Sequence, residues 1–128
     1  MTINNKPLVF VLEDNPAYRT LISRVLQKNG FAVMLFEHGR KAVDMLRYVR
    51  PALIVSDIEM PCMDGFEFNE HVKQYFPEHH IPFIYISSTS CENMKGKAKE
   101  LGATNMLDKP VSTEKLKQAI NYVLEIDN

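Results

Sequence analysis

Glu13 and Asp14, then Asp57, then the hydroxyl run Ser87-Ser88-Thr89-Ser90, and finally Lys109, each stand at or just past the end of a short, largely apolar stretch of the chain. Gathered at one place they would give three carboxylates, a hydroxyl and an amine. Unit charges about 4 Å apart repel by about 4 kcal/mol at an effective dielectric near 20, so three carboxylates on one rim call for a cation or a proton. A hard divalent cation meets that need. Mg²⁺ prefers oxygen ligands, takes one or two carboxylates, and keeps positions for water and phosphate oxygens, which points to phosphoryl chemistry. Asp57 beside a metal and a lysine can attack a phosphoryl group and form an aspartyl phosphate. Lys109 and the metal would offset charge on the equatorial oxygens, and the hydroxyl would hydrogen-bond one of them.

Such a gathering requires that the apolar stretches be strands ending on one side of a sheet. The run over 8–12 reads as a strand buried on both faces. Asn15-Pro16 follows as a cap and a proline suited to the first helical turn; Tyr18, Leu21, Ile22, Val25 and Leu26 then recur at helical spacing until Gly30. The alternation predicts strands over 31–36, 53–56, 81–87 and 105–107, and helices over 40–49, 66–75, 92–101 and 113–124. Val43, Leu46 and Val49 form the inward face of the second helix. Five βα units imply an α/β fold with a doubly wound five-stranded parallel sheet flanked by five helices, because only a helix-length connection returns the chain to start a parallel strand. In such sheets ligands bind outside the carboxyl ends of the strands, where the five groups would converge. The fourth helix, with Met94, Ala98 and Leu101 inward and Gly96 costing about 1 kcal/mol relative to alanine, is predicted to be weakly held.

Together, Glu13-Asp14, Asp57-Ile58-Glu59-Met60-Pro61 with Asp64-Gly65, Ser87 after the run over 81–86, and Gly102-Ala103 followed by Lys109-Pro110 resemble the receiver domain of bacterial two-component response regulators. The resemblance covers essentially the whole chain and implies the flavodoxin-like (βα)₅ receiver topology. It implies Asp57 as phosphoacceptor from a histidine kinase or phosphotransfer protein. Asp14, Asp57 and the backbone carbonyl of Glu59 would hold Mg²⁺, with Glu13 reaching it through water. The phosphorylated form would present a surface of the fourth helix, fifth strand and fifth helix to a downstream protein target. Three positions depart from the commonest pattern. Ser87 stands where threonine is more usual and lacks the methyl that restrains the rotamer. Met106 occupies the site of a switch tyrosine or phenylalanine and offers a flexible side chain without ring or hydroxyl. Glu59 puts an acid where the side chain influences how water reaches the acyl phosphate, and so bears on phosphate lifetime.

The whole chain bounds these readings. Its 128 residues suit one domain, here read as a single receiver with no output domain, and 45% hydrophobic with 24% charged residues is the composition of a soluble globular protein. No apolar run reaches the roughly 20 residues of a membrane span, and the first residues lack the marks of a secretory signal, so the cytoplasm is the expected compartment. Cys62 and Cys91 should then be reduced thiols. A net charge of -1 gives no footprint for direct nucleic-acid binding. Asp64 reads as a helix cap and Asp108 as a solvated neighbour of Lys109. His38, His71, His79 and His80 lack ligand spacing, and Lys95, Lys97 and Lys99 read as a solvated face. The rival function is a Mg²⁺-dependent phosphatase with an aspartyl nucleophile. That chemistry wants a second aspartate two residues on, where Glu59 stands.

Overall fold

The computed structural model describes residues 2–87 and 105–127. Among the described residues, five parallel strands form the sheet: β2 (Lys6–Leu12), β3 (Ala32–Phe36), β4 (Leu53–Asp57), β5 (Phe83–Ser87) and β6 (Asn105–Asp108), in the order β3-β2-β4-β5-β6. A two-residue strand, β1 (Thr2–Ile3), pairs antiparallel with the start of β2. It adds a sixth strand to the five read from the sequence. The turn is made by Asn4 and Asn5 at φ 53° and 66°, the left-handed region that asparagine tolerates best among residues with a Cβ.

Leu8 to Leu12 are all fully buried, as expected of a strand covered on both faces. Period-two alternation sends Leu8, Phe10 and Leu12 to one side and Val9 and Val11 to the other. On the first side lie α2 (Gly39–Met45) and α3 (Gly65–Tyr75), through Ala42, Leu46, Phe66, Phe68 and Val72. The second side is covered by α1 (Pro16–Lys28) and α4 (Thr113–Asp127), through Ile22, Val25, Leu26, Leu116, Ile120 and Val123. The chain steps from β2 outward to β3, then crosses to β4 on the opposite flank, so the direction switches beside β2.

Local chemistry explains the departures from the predicted spans. The second helix stops at Met45, not 49; looser turns carry the chain on through Tyr48 and Val49 N–H bonds to the Met45 carbonyl, and Pro51 disfavours helical backbone just before it. Strand β5 begins at Phe83 because Pro82 has no N–H for the ladder. Leu21, one of the residues at helical spacing in α1, is 39% exposed, and the buried residues of that helix are Ile22, Ser23, Val25 and Leu26. The predicted fourth helix, with Met94, Gly96, Ala98, Leu101 and Lys95, Lys97 and Lys99, lies outside the described residues, as do Cys91 and Gly102-Ala103.

Candidate functional site

Parallel pairing in register brings the strand ends level: Leu12 lies beside Ser56, Asp57 beside Ile86, and Ser87 beside Asp108. Backbone bonds extend the ladder past these ends, from Glu13 N–H to the Phe36 carbonyl (3.0 Å), Ile58 N–H to Ile86 (3.0 Å) and Lys109 N–H to Ser87 (2.8 Å). The loops bearing Glu13, Asp57, Ser87 and Lys109 therefore start from fixed positions. The result is an open cleft of about 660 Å³ lined by Asp14, Asn15, Tyr18, Asp57, Glu59 and Lys109 among others.

Asp57 is nearly buried, and both its carboxylate oxygens are engaged. Lys109 Nζ donates to Oδ2 at 3.1 Å, and the Glu59 backbone N–H donates to Oδ1 at 3.3 Å. Gly65 lets α3 come close: a Cβ there would stand 2.4 Å from the Asp57 carbonyl oxygen, and the Gly65 N–H bonds the Ile58 carbonyl at 2.8 Å. Asp64 caps that helix, accepting from Glu67 N–H at 2.8 Å while Glu67 accepts from Asp64 N–H at 3.2 Å. It is the cap read from the sequence, and Asp108 is exposed.

Glu13 is fully buried. Its carboxylate accepts from Asn15 N–H at 3.1 Å and lies 3.1 Å from Lys109 Nζ, while its backbone carbonyl accepts from the Arg19 guanidinium at 2.9 Å. Burial raises its pKa to about 6, with the Asp57 charge adding to the rise and Asn15 and Lys109 opposing it. Asp57 is also raised, chiefly by burial, against the lowering pull of Lys109. For Lys109, burial alone would lower the pKa, but its hydrogen bonds and attraction to Asp57 and Glu13 outweigh this and raise it. Lys109 Nζ also lies 4.5 Å from the Tyr18 ring centroid, a cation-π contact. The Lys109–Pro110 peptide is cis.

Carboxylate oxygens of Glu13, Asp14 and Asp57 all lie within 4.8 Å of one another. Glu13 Oε2 is buried without an aligned hydrogen bond. Three hard oxygen donors, one exposed on Asp14, against one ammonium leave the cluster short of positive charge, and this fits a divalent cation. Ser87, fully buried, donates its hydroxyl to Glu59 Oε1 at 3.0 Å. Met106 stands beside Tyr85 on β6, half-buried against the cluster that holds Phe66 and Phe68. Thus Glu13, Asp14, Asp57, Glu59, Ser87 and Lys109 come together as read from the sequence, and Met106 sits a strand away. The histidines form no metal-ligating group among the described residues.

Three participants were missed. Tyr18, read only as part of the helical spacing of α1, leans over Lys109, while Asn15 and Arg19 brace Glu13. The signal was the Asn15-Pro16 helix start, which places the first turn of α1 directly above the end of β2.

Residues 9–121 match the family described as the response regulator receiver domain. The chain belongs to that family. With membership comes the role of phosphoacceptor domain in two-component signalling. The receiver is 30% identical over 116 residues to Protein PilH of Pseudomonas aeruginosa, covering 91% of this chain and 96% of that protein. It is 35% identical over 114 residues to hybrid signal transduction histidine kinase D of Dictyostelium discoideum, covering 89% of this chain and 7% of that much longer protein. Among solved structures, the Vibrio cholerae chemotaxis protein CheY4 superposes with a TM-score of 0.87 at 30% identity, covering 93% of this chain and 99% of the other. The relatives are thus both stand-alone-sized regulators and parts of histidine kinases. Among the described residues, no helix is long and apolar enough to cross a membrane.

Proposed function

We propose that Asp57 is the phosphoacceptor, that Glu13, Asp14, Asp57 and the backbone carbonyl of Glu59 are the Mg²⁺ site, and that the donor is a cytoplasmic histidine kinase or histidine phosphotransfer protein. The observation that carries this reading is the grip on Asp57, with Lys109 on one oxygen at 3.1 Å and a backbone N–H on the other at 3.3 Å. A carboxylate oxygen of Asp57 forms the bond to phosphorus as the phosphorus–nitrogen bond of the donor phosphohistidine breaks. The imidazole leaves with that electron pair. Lys109, tied by its hydrogen bond to Asp57, stands ready to pair with the charge of the incoming group, and Ser87 supplies a hydroxyl for one equatorial oxygen. Mg²⁺, when bound, offsets the charge shared between the acyl oxygen and the phosphoryl group.

The phosphorylated state favours a partner-binding arrangement of the surface that includes β6 and Met106, and the receiver acts there by protein contact rather than on nucleic acid. It turns over no separate substrate and catalyses its own phosphoryl transfer and dephosphorylation. Glu59 sets phosphate lifetime by orienting or excluding water. Dephosphorylation of Glu59→Ala measures that role, and a rate equal to the native one sinks it.

Incubation with acetyl phosphate or beryllium fluoride, with and without Mg²⁺, tests the whole assignment by comparing the native chain with Asp57→Asn. The expected outcome is a Mg²⁺-dependent gain in mass with acetyl phosphate, and a matching spectral change with the fluoride, in the native chain alone. An equal response from Asp57→Asn overturns it.

A further inference from the structure

We infer that Glu59 is a latch on Ser87, a positioning residue that commits the switch hydroxyl away from the phosphoryl site until phosphate arrives. This rests on the reading of Asp57 as phosphoacceptor. Ser87 Oγ donates to Glu59 Oε1 at 3.0 Å. A hydroxyl has one proton and an ionised carboxylate can only accept, so while this bond stands the proton points at Glu59. It is not available to a phosphoryl oxygen.

The backbone around the latch is fixed. Ser87 is the last residue of β5, pairs with Asp108, and accepts the Lys109 N–H on its carbonyl at 2.8 Å. Freeing the hydroxyl therefore needs rotation of a side chain and no strand shift. Serine has no methyl to restrict that rotation, as threonine would, and the bond to Glu59 is a restraint on it.

Glu59 reaches the reacting centre through its other end as well, because its backbone N–H donates to Asp57 Oδ1 at 3.3 Å. One residue thus spans the phosphoacceptor and the hydroxyl. A phosphoryl group on Asp57 brings close to two negative charges beside the Glu59 carboxylate and offers Ser87 a stronger acceptor. Repulsion drives the carboxylate off and the hydroxyl exchanges partners. Glu59 is exposed, so its charge moves into water at little cost in solvation. The latch raises the threshold for switching without phosphate and is undone by the group it waits for.

The test is beryllofluoride affinity in Mg²⁺, followed by NMR titration of the full chain, for Glu59→Gln and Glu59→Ala, each with Ser87 and with Ser87→Ala. Both substitutions remove the charge, but glutamine keeps an oxygen that can accept from the hydroxyl. With Ser87 present, Glu59→Ala should bind about fivefold tighter than Glu59→Gln, the effect of losing one hydrogen bond of about 1 kcal/mol. With Ser87→Ala the two should agree. Equal affinities with Ser87 present, or a difference that persists in Ser87→Ala, overturn the latch and leave Glu59 acting through charge alone. A native chain that binds no beryllofluoride overturns the phosphoacceptor reading and the latch with it. Thermal unfolding in EDTA gives a second readout: the shifts from Glu59→Ala and Ser87→Ala should combine non-additively, and strict additivity overturns the latch without any phosphate mimic.

Discussion

Burial raises the pKa of Glu13 to about 6 from an ordinary 4.5, and the Asp57 charge adds to the rise, since Lys109 brings one positive charge to two buried carboxylates. Folded Glu13 therefore holds its proton more tightly than the unfolded chain does. Between about pH 4.5 and 6 the native state binds more protons, so stability falls as pH rises through that window and levels off above it. The drop is about 2 kcal/mol for the metal-free protein, from 1.36 kcal/mol per pKa unit. Asp57, raised as well, acts in the same direction. Urea midpoints in EDTA across this range measure the effect. Glu13→Gln should flatten the slope and be the more stable chain at pH 7; a native chain that gains stability from pH 4.5 to 6 contradicts the account.

At the scale of elements, the contact between α3 and the end of β4 governs the site, because Gly65 lies where a Cβ would meet the Asp57 carbonyl at 2.4 Å. Gly65→Ala should lower stability by about 1–3 kcal/mol through overpacking and slow phosphorylation by acetyl phosphate by displacing Asp57. Unchanged rate and midpoint would show that the helix can retreat freely. This placement explains why so much of the site was legible: strand ends of a parallel sheet lie on one side, so Glu13, Asp14, Asp57, Ser87 and Lys109 converge once the alternation is read. What escaped depends on helix rotation and loop closure. Tyr18 fits a core period equally well, and only the entry angle of α1 after Asn15-Pro16 turns it onto Lys109. The β1 turn escaped because Asn4-Asn5 accompanies only two strand residues on its near side, too short a run to show periodicity.

In the whole molecule, strand alternation builds two separate cores, one on each face of the sheet, and neither draws on the acidic cluster. Chelation should thus leave the receiver folded, with a cooperative transition, while Mg²⁺ should raise the melting temperature with the logarithm of its concentration. Calorimetry with EDTA and with graded Mg²⁺ checks both, and Asp14→Asn should blunt the dependence. Loss of cooperative unfolding in EDTA would make the metal structural. The end of β4 is also met from two directions, by α3 and by the neighbouring strand β5. Toward α3, main chain rests on main chain at Gly65, with no side chain between to rotate away. Toward β5, the main chain is held as well, by the Ile58 N–H on the Ile86 carbonyl at 3.0 Å, and the bond from the Ser87 hydroxyl to the exposed Glu59 carboxylate is added to it through side chains. A displacement at Asp57 is therefore resisted by main chain toward both α3 and β5, and the Ser87–Glu59 pair is a part of the site that can turn without moving a strand.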